Sequence, residues 1–350
     1  MTPLTIGVFD SGFGGLTVLR ALLPLIPNAN YIYLGDTARL PYGSKSHETI
    51  ARYAVSSAKF LHEQGANLLV IACNTATALA LEDIQHALPI PVIGVVEPGA
   101  NAAHSLSSKN SGGNLPCHPE RSAAESKDLR FARLPEPPQL SNQPEILNSV
   151  ILSEAKNRCI LLDAATISPH RVPHVRDSPI VANVGEISPQ NQVLVLATTA
   201  TVQSHAYTHA LNALGLQAYE KACPLLVPLV EEGWINHPVT DEVLRIYLTE
   251  ALTAAPATHT LLLGCTHYPL LEPAIRRTLA SMGHSLAIID SAQATAHAVA
   301  AHPALASHLS DLKGQSCLFY ATDSVEKFQR LGSAFLGQPV TGVRHIDLGG

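Results

Sequence analysis

Short apolar runs alternate along this chain with segments whose apolar positions recur at helical spacing. Residues 4–9 (Leu-Thr-Ile-Gly-Val-Phe) are the first such run and predict a buried strand. A glycine-rich turn, Asp10-Ser11-Gly12-Phe13-Gly14-Gly15, follows, and Leu16, Val18, Leu19, Leu22 and Leu23 then mark one face of a helix. Strands are predicted at 29–34, 67–72 and 91–95, with helices at 46–63 and 75–87 between them. The rhythm breaks near 104 and resumes with Val193–Thr198 as a strand and Ala200–Leu214 as a helix. Strands near 216–219, 259–263, 286–290 and 316–320 then alternate with helices at 238–254, 269–281, 292–302 and 324–333. Such alternation predicts an α/β fold of two similar domains, parallel sheets flanked by helices. The first domain spans 1–97 and is completed by 290–350; the second spans 98–289. Parallel sheets place ligands at the carboxyl ends of their strands, and Asp10, Cys73 and Glu97 fall at predicted strand ends.

The stretch from about 104 to 192 differs in kind, being rich in Ser, Pro, Asn and Glu without a sustained period. It reads as a disordered insertion in the second domain, with short helical pieces at 120–132 and 149–163. Cys117-His118-Pro119-Glu120-Arg121-Ser122 can be encoded by TGT CAT CCT GAG CGA AGC. Read one base later, that string spells Val-Ile-Leu-Ser-Glu-Ala, which stands at 150–155. Two copies of one DNA repeat in different frames would explain both, and the gene's nucleotide sequence decides it.

Composition narrows the class. With 350 residues, 46% of them hydrophobic and 14% charged, the chain can bury two cores. A net charge of −6 without a basic cluster argues against nucleic acid as a partner. No apolar run is long enough to span a membrane and no signal peptide is evident, so a cytoplasmic location is expected. Six cysteines in such a chain read as free thiols, and the absence of a CxxC pair argues against a zinc site.

Chemistry enters with two of those thiols. Cys73, in Leu-Leu-Val-Ile-Ala-Cys-Asn-Thr, and Cys265, in Leu-Leu-Leu-Gly-Cys-Thr-His, each follow an apolar run and precede small polar residues and a helical stretch. Each reads as a thiol delivered by a strand to a strand–loop–helix junction. Two equivalent thiols suit racemisation, in which one face of a carbon loses a proton and the other gains one. An unperturbed thiol titrates near about 8.5, so either protonation state is reachable. Asp10 is placed to hold a proton beside Cys73, and His267 with Glu231 or Glu232 beside Cys265. Asp10-Ser11 and its glycines offer backbone donors for a small anion, without the GxGxxG spacing of a dinucleotide site. Asn74-Thr75, Thr266-His267 and Thr198 to Thr201 add neutral donors at strand-to-helix junctions, where helix capping alone would also place them.

The chain resembles the glutamate racemases of the cofactor-independent amino-acid racemase superfamily. The resemblance rests on GVFDSGFGGLTVLR at 7–20, YLGDTARLPYG at 33–43, IACNTATALA at 71–80 and GVVEPG at 94–99. It continues in ATTATVQSHAY at 197–207, CPLLVPLVEEG at 223–233, LLLGCTHYPLL at 261–271 and IIDSA at 288–292. It implies that Cys73 and Cys265 are the catalytic thiols, each base in one direction and acid in the other. It also implies substrate contacts from Asp10, Ser11, Tyr42, Gly43, Asn74, Thr75, Thr266 and His267, with Thr198, Thr201 and Glu231 or Glu232 further around the pocket. It implies interconversion of L- and D-glutamate for peptidoglycan without cofactor or metal, two α/β domains with the active site in the cleft between them, and a homodimer. The competing readings are an aspartate or broad-specificity racemase, an amino-acid binding protein without turnover, and an enzyme damaged by its insertion. One departure is local: after Asp290-Ser291 the chain reads Ala-Gln-Ala, where the family usually has glycine and then an acidic residue.

Overall fold

In a computed structural model, residues 4–111, 192–306 and 316–349 are described. The first sheet is built from β1 (Thr5–Asp10), β2 (Asn30–Gly35), β3 (Leu68–Ile71) and β4 (Val92–Gly94). Helices α1 (Leu16–Leu25), α2 (His47–Glu63), α3 (Asn74–Ala87) and α4 (Val96–Ser111) intervene or follow. The second sheet is built from β5 (Gln192–Ala197), β6 (Gln217–Ala222), β7 (Thr260–Gly264) and β8 (Ala287–Asp290). Between its strands lie α5 (Thr199–Ser204), α6 (Ala206–Ala213), α7 (Leu226–Glu231), α8 (Pro238–Ala254) and α9 (Glu272–Ser281). After α10 (Ser291–Ala300) and α11 (Pro303–Ala306) the chain returns to the first sheet with β9 (Cys317–Ala321), α12 (Val325–Leu336) and β10 (Arg344–His345).

Among the described residues every strand pairing is parallel, in the orders β10-β9-β2-β1-β3-β4 and β6-β5-β7-β8. This is the expected pair of helix-covered parallel sheets. The central strands β1, β3, β5 and β7 are almost wholly buried, which is why they read as continuous apolar runs without alternation. Both sheets belong to one compact unit. Helix α1 packs on α10, and one buried cluster runs from Leu16, Leu19 and Leu22 through Ala292 and Ala296 to Leu194 and Leu261. The two sheets therefore share a core, and the functional loops at their strand ends are held by packing on both sides.

Four expectations need correction. Helix α4 carries regular structure to Ser111, past the break expected near 104, and Glu97 lies exposed within its first turn, not at a strand end. The helix expected over 200–214 is two, broken at His205, whose backbone adopts φ 55°. Ser204 Oγ accepts the Ala206 N–H there at 3.2 Å, offering the backbone a local alternative to the helix. Residues 268–271 form a 3-10 turn ahead of α9. Helix α7, with Pro228 inside six residues, was too short to show a period. The helical pieces at 120–132 and 149–163, most of the insertion and the repeated string all lie outside the described residues.

Candidate active site

Asp10 ends β1, and the turn after it closes on its own carboxylate: Oδ2 accepts the Gly12 N–H at 2.9 Å. The other oxygen, Oδ1, is buried without a hydrogen-bond partner in the protein. Burial pushes the Asp10 carboxyl up from the usual carboxylate range, opposed by His267 and by backbone N–H groups of Gly15 and Gly12. An acceptor this buried and this incompletely bonded suits a cationic ligand group.

Cys73 is the N-cap of α3, and its Sγ accepts the Ala76 N–H at 3.4 Å. The Cys73 thiol also reaches Ser11 Oγ at 3.5 Å, so the loops after β1 and β3 meet at this sulfur. Desolvation and the nearby Asp10 carboxylate push the thiol up to about 11; the Ser11 and Ala76 hydrogen bonds pull the other way. Cys265 stands one residue beyond β7 and is equally buried, at 5% exposure. It precedes a 3-10 turn where Cys73 caps a fourteen-residue α-helix, so the two look-alike settings differ in helix dipole. Burial raises its thiol further still, and the Cys73 and Asp10 charges add to the rise. The two sulfurs thus lie within electrostatic reach of each other, one from each sheet.

Around Cys265 the sequence left two carboxylates open, and the structure selects one. His267 Nδ1 lies 4.0 Å from Cys265 Sγ, and His267 Nε2 lies 3.3 Å from Glu231 Oε1. Glu232, next in the chain, is exposed. Phe13 and Phe335 pack T-shaped against the imidazole at 6.3 and 5.0 Å between centroids, which restrains its plane.

Hydroxyls from both sheets converge beside Cys73. Thr75 Oγ1 lies 3.0 Å from Thr198 Oγ1 and 3.3 Å from Thr201 Oγ1, and the last two are 2.9 Å apart. Thr198 also caps α5, so capping and facing the site coexist in one residue. Thr266 is buried next to Cys265, and its carbonyl accepts from Thr17 Oγ1 of α1 at 3.2 Å.

Tyr42 departs from expectation in what it can offer. Its hydroxyl is buried and donates to Asp36 Oδ2 at 2.5 Å, and its carbonyl accepts the Lys45 N–H at 3.0 Å, so neither is offered to a ligand. Asp36 was missed by the sequence reading. It is fully buried and also accepts from Arg39 Nε and Thr322 Oγ1, both at 2.9 Å. One carboxylate therefore ties the Tyr42–Gly43 turn to the end of β9. Gly43 abuts Thr198: a Cβ there would meet the Thr198 Cβ at 3.4 Å.

Contacts at the strand ends join Ser11 to Cys73 and Thr75 to Thr198 and Thr201, and join Cys265 through His267 to Glu231, while Glu232 stands apart. The sequence profile of the Asp/Glu/Hydantoin racemase family matches residues 15–112 and 181–299, bracketing both thiols and breaking across the insertion. The chain belongs to the Asp/Glu/Hydantoin racemase family. It is 42% identical to the glutamate racemase of Koribacter versatilis, covering 99% of this chain and 98% of that one. The crystal structure of glutamate racemase from Thermus thermophilus, in complex with beta-chloro-D-alanine, superposes with a TM-score of 0.67 at 33% identity, covering 99% and 97%. That from Francisella tularensis, in complex with D-glutamate, does so with a TM-score of 0.69 at 27% identity, covering 99% and 98%.

Both thiols of this racemase-family site are held protonated by burial, which fixes the sign of a pH effect. A two-thiol racemisation would need one thiolate, and the thiolate fraction grows as pH rises toward about 11 at Cys73. We expect kcat/KM to climb across roughly pH 7 to 9. A pH–rate profile already flat from acid pH would show that a thiolate is stabilised by something other than these neighbours.

Proposed function

We propose that this chain is a glutamate racemase, interconverting L- and D-glutamate by proton transfer between Cys73 and Cys265 without a cofactor. The observation that carries this reading is the pair of buried thiols, one from each sheet, flanked by an unpartnered acceptor and an unpartnered donor. Asp10 Oδ1 is the acceptor and Asn74 Nδ2 the donor. An amino acid presents the complementary pair, an ammonium and a carboxylate. The full-length likeness to glutamate racemases supports glutamate over its homologues.

In one direction the thiolate of one cysteine takes the α-proton, and the electron pair is held by the α-carboxylate and its donors. The thiol of the other cysteine then delivers a proton to the opposite face. The enzyme ends with its two protonation states exchanged, which suits a reversible reaction. On the Cys73 side Asp10 influences the thiol's charge; on the Cys265 side His267, braced by Glu231, does so. Ser11, Gly43, Thr75, Thr198, Thr201 and Thr266 surround the substrate with neutral donors.

The same reading carries D-glutamate supply for peptidoglycan, a cytoplasmic location, and a homodimer of two-domain subunits, 1–97 with 290–350 and 98–289. Among the described residues no helix is long and apolar enough to cross a membrane. The deciding experiment is incubation of the purified chain with L-glutamate or L-aspartate in heavy water. Loss of circular dichroism together with α-deuteration is expected for glutamate. Faster exchange on aspartate would move the assignment to that substrate, and binding without exchange would remove the enzyme reading.

A further inference from the structure

In the sequence Tyr207 lies in a helix and closes the ATTATVQSHAY stretch without a role of its own, yet its hydroxyl reaches the site. The residue lies on α6, belonging to the second sheet, and is fully buried. Its hydroxyl donates to Asn74 Oδ1 at 2.6 Å, across to the first residue of α3. Asn74 is 2% exposed and stands next to Cys73. An asparagine side chain carries one acceptor and one two-hydrogen donor on a rotatable amide. With Oδ1 committed to Tyr207, the amide is turned so that Nδ2 faces elsewhere, and Nδ2 is buried with no partner in the protein.

Leaving a buried amide donor unbonded is costly, and proteins keep such groups mainly where something else completes them. Tyr207 itself is well seated. Its ring packs against Gly264, where a Cβ would meet Cε2 at 3.0 Å, and the hydroxyl has Ser291 as a further neighbour. Ser291 Oγ gives its proton to the Leu263 carbonyl at 2.8 Å, so it has none to give Tyr207. The phenol has a single proton, and its 2.6 Å bond to Asn74 Oδ1 is where that proton goes.

We propose that Tyr207 is a positioning residue that orients the Asn74 amide, so that its Nδ2 is presented to a carboxylate of the substrate. This rests on the racemase reading and adds a residue to it. Because the bond joins elements of the two sheets, binding then depends on their mutual position as well as on Asn74.

The test compares Tyr207→Phe with Asn74→Ala and with the double variant in steady-state racemisation. Loss of the orienting bond should raise KM for both enantiomers about tenfold, with kcat changed much less. Since Tyr207 acts through Asn74, adding Tyr207→Phe to Asn74→Ala should raise KM no further. Asn74→Asp keeps the oxygen that receives Tyr207 and replaces only the free nitrogen. It should raise KM at least as much, and it provides the test should Tyr207→Phe fold poorly. An unchanged KM in folded Tyr207→Phe, independent additive effects in the double variant, or an unchanged KM in Asn74→Asp would each overturn the proposal. Racemisation by the unaltered chain in the same assay keeps the parent reading separate from this one.

Discussion

Replacing either Cys73 or Cys265 by serine is expected to lower kcat for glutamate racemisation about a thousandfold, the middle to upper part of what one positioned acid–base group contributes. A hydroxyl is a far weaker acid than a thiol. Neither the thiolate that abstracts nor the thiol that delivers has a competent substitute. Because each cysteine acts in both directions, each variant should fail from L- and from D-glutamate alike. The structural cost should be small. Cys73 Sγ caps α3 through the Ala76 N–H, and serine is among the best residues at that position. Melting temperature should therefore stay close to that of the parent while activity collapses, and that combination separates chemistry from folding. Circular dichroism of the glutamate signal and thermal unfolding on the same preparations measure both. Near-normal rates in both variants would end the two-thiol mechanism.

Much of this arrangement could be read before the fold was seen, for a physical reason. A strand buried on both faces must be an unbroken apolar run, so β1, β3, β5 and β7 announce themselves, and with them the residues at their carboxyl ends. Asp10, Cys73, Thr198 and Cys265 were visible on that basis. Side-chain partners across long separations were not. Thr75 and Thr198 are 123 positions apart, and their contact depends on how two sheets pack. Asp36 follows β2 just as Asp10 ends β1, so an acidic residue at a strand end was an available signal that went unused. Tyr207 closes the ATTATVQSHAY stretch but gave no sign of a role, because a tyrosine on the buried face of a helix reads as core until its hydroxyl is placed. Glu231 and Glu232 were indistinguishable for a related reason: α7 is too short to reveal which of its faces points inward.

The approach of α1 to the second thiol makes Gly14→Ala the other substitution with a large expected effect. Gly14 is not among the glycines with positive φ, so alanine meets no backbone penalty there. The obstacle is space. A Cβ on Gly14 would stand 2.3 Å from Thr266 Oγ1 and 2.6 Å from His267 Nδ1, far inside contact distance. The imidazole has little room to yield, held by Glu231 at its far nitrogen and by the T-shaped packing of Phe13 and Phe335. Thr266 is pinned through its carbonyl to Thr17 on the same helix that carries the glycine loop. Something must shift by more than an ångström, and the atoms nearest are those beside Cys265. Overpacking of this kind costs about 1–3 kcal/mol of stability. Misplacing a catalytic neighbour by about 1 Å costs about a hundredfold in rate, so kcat/KM should fall by that order while the protein still folds. Gly12→Ala is the comparison, because its Cβ would meet only the flexible end of Leu40, at 3.1 Å, and should be much milder. Kinetics and thermal unfolding of the two variants side by side decide the matter. A Gly14→Ala enzyme with unimpaired kcat/KM would mean that Thr266 and His267 stand farther from the glycine loop during turnover than they do here.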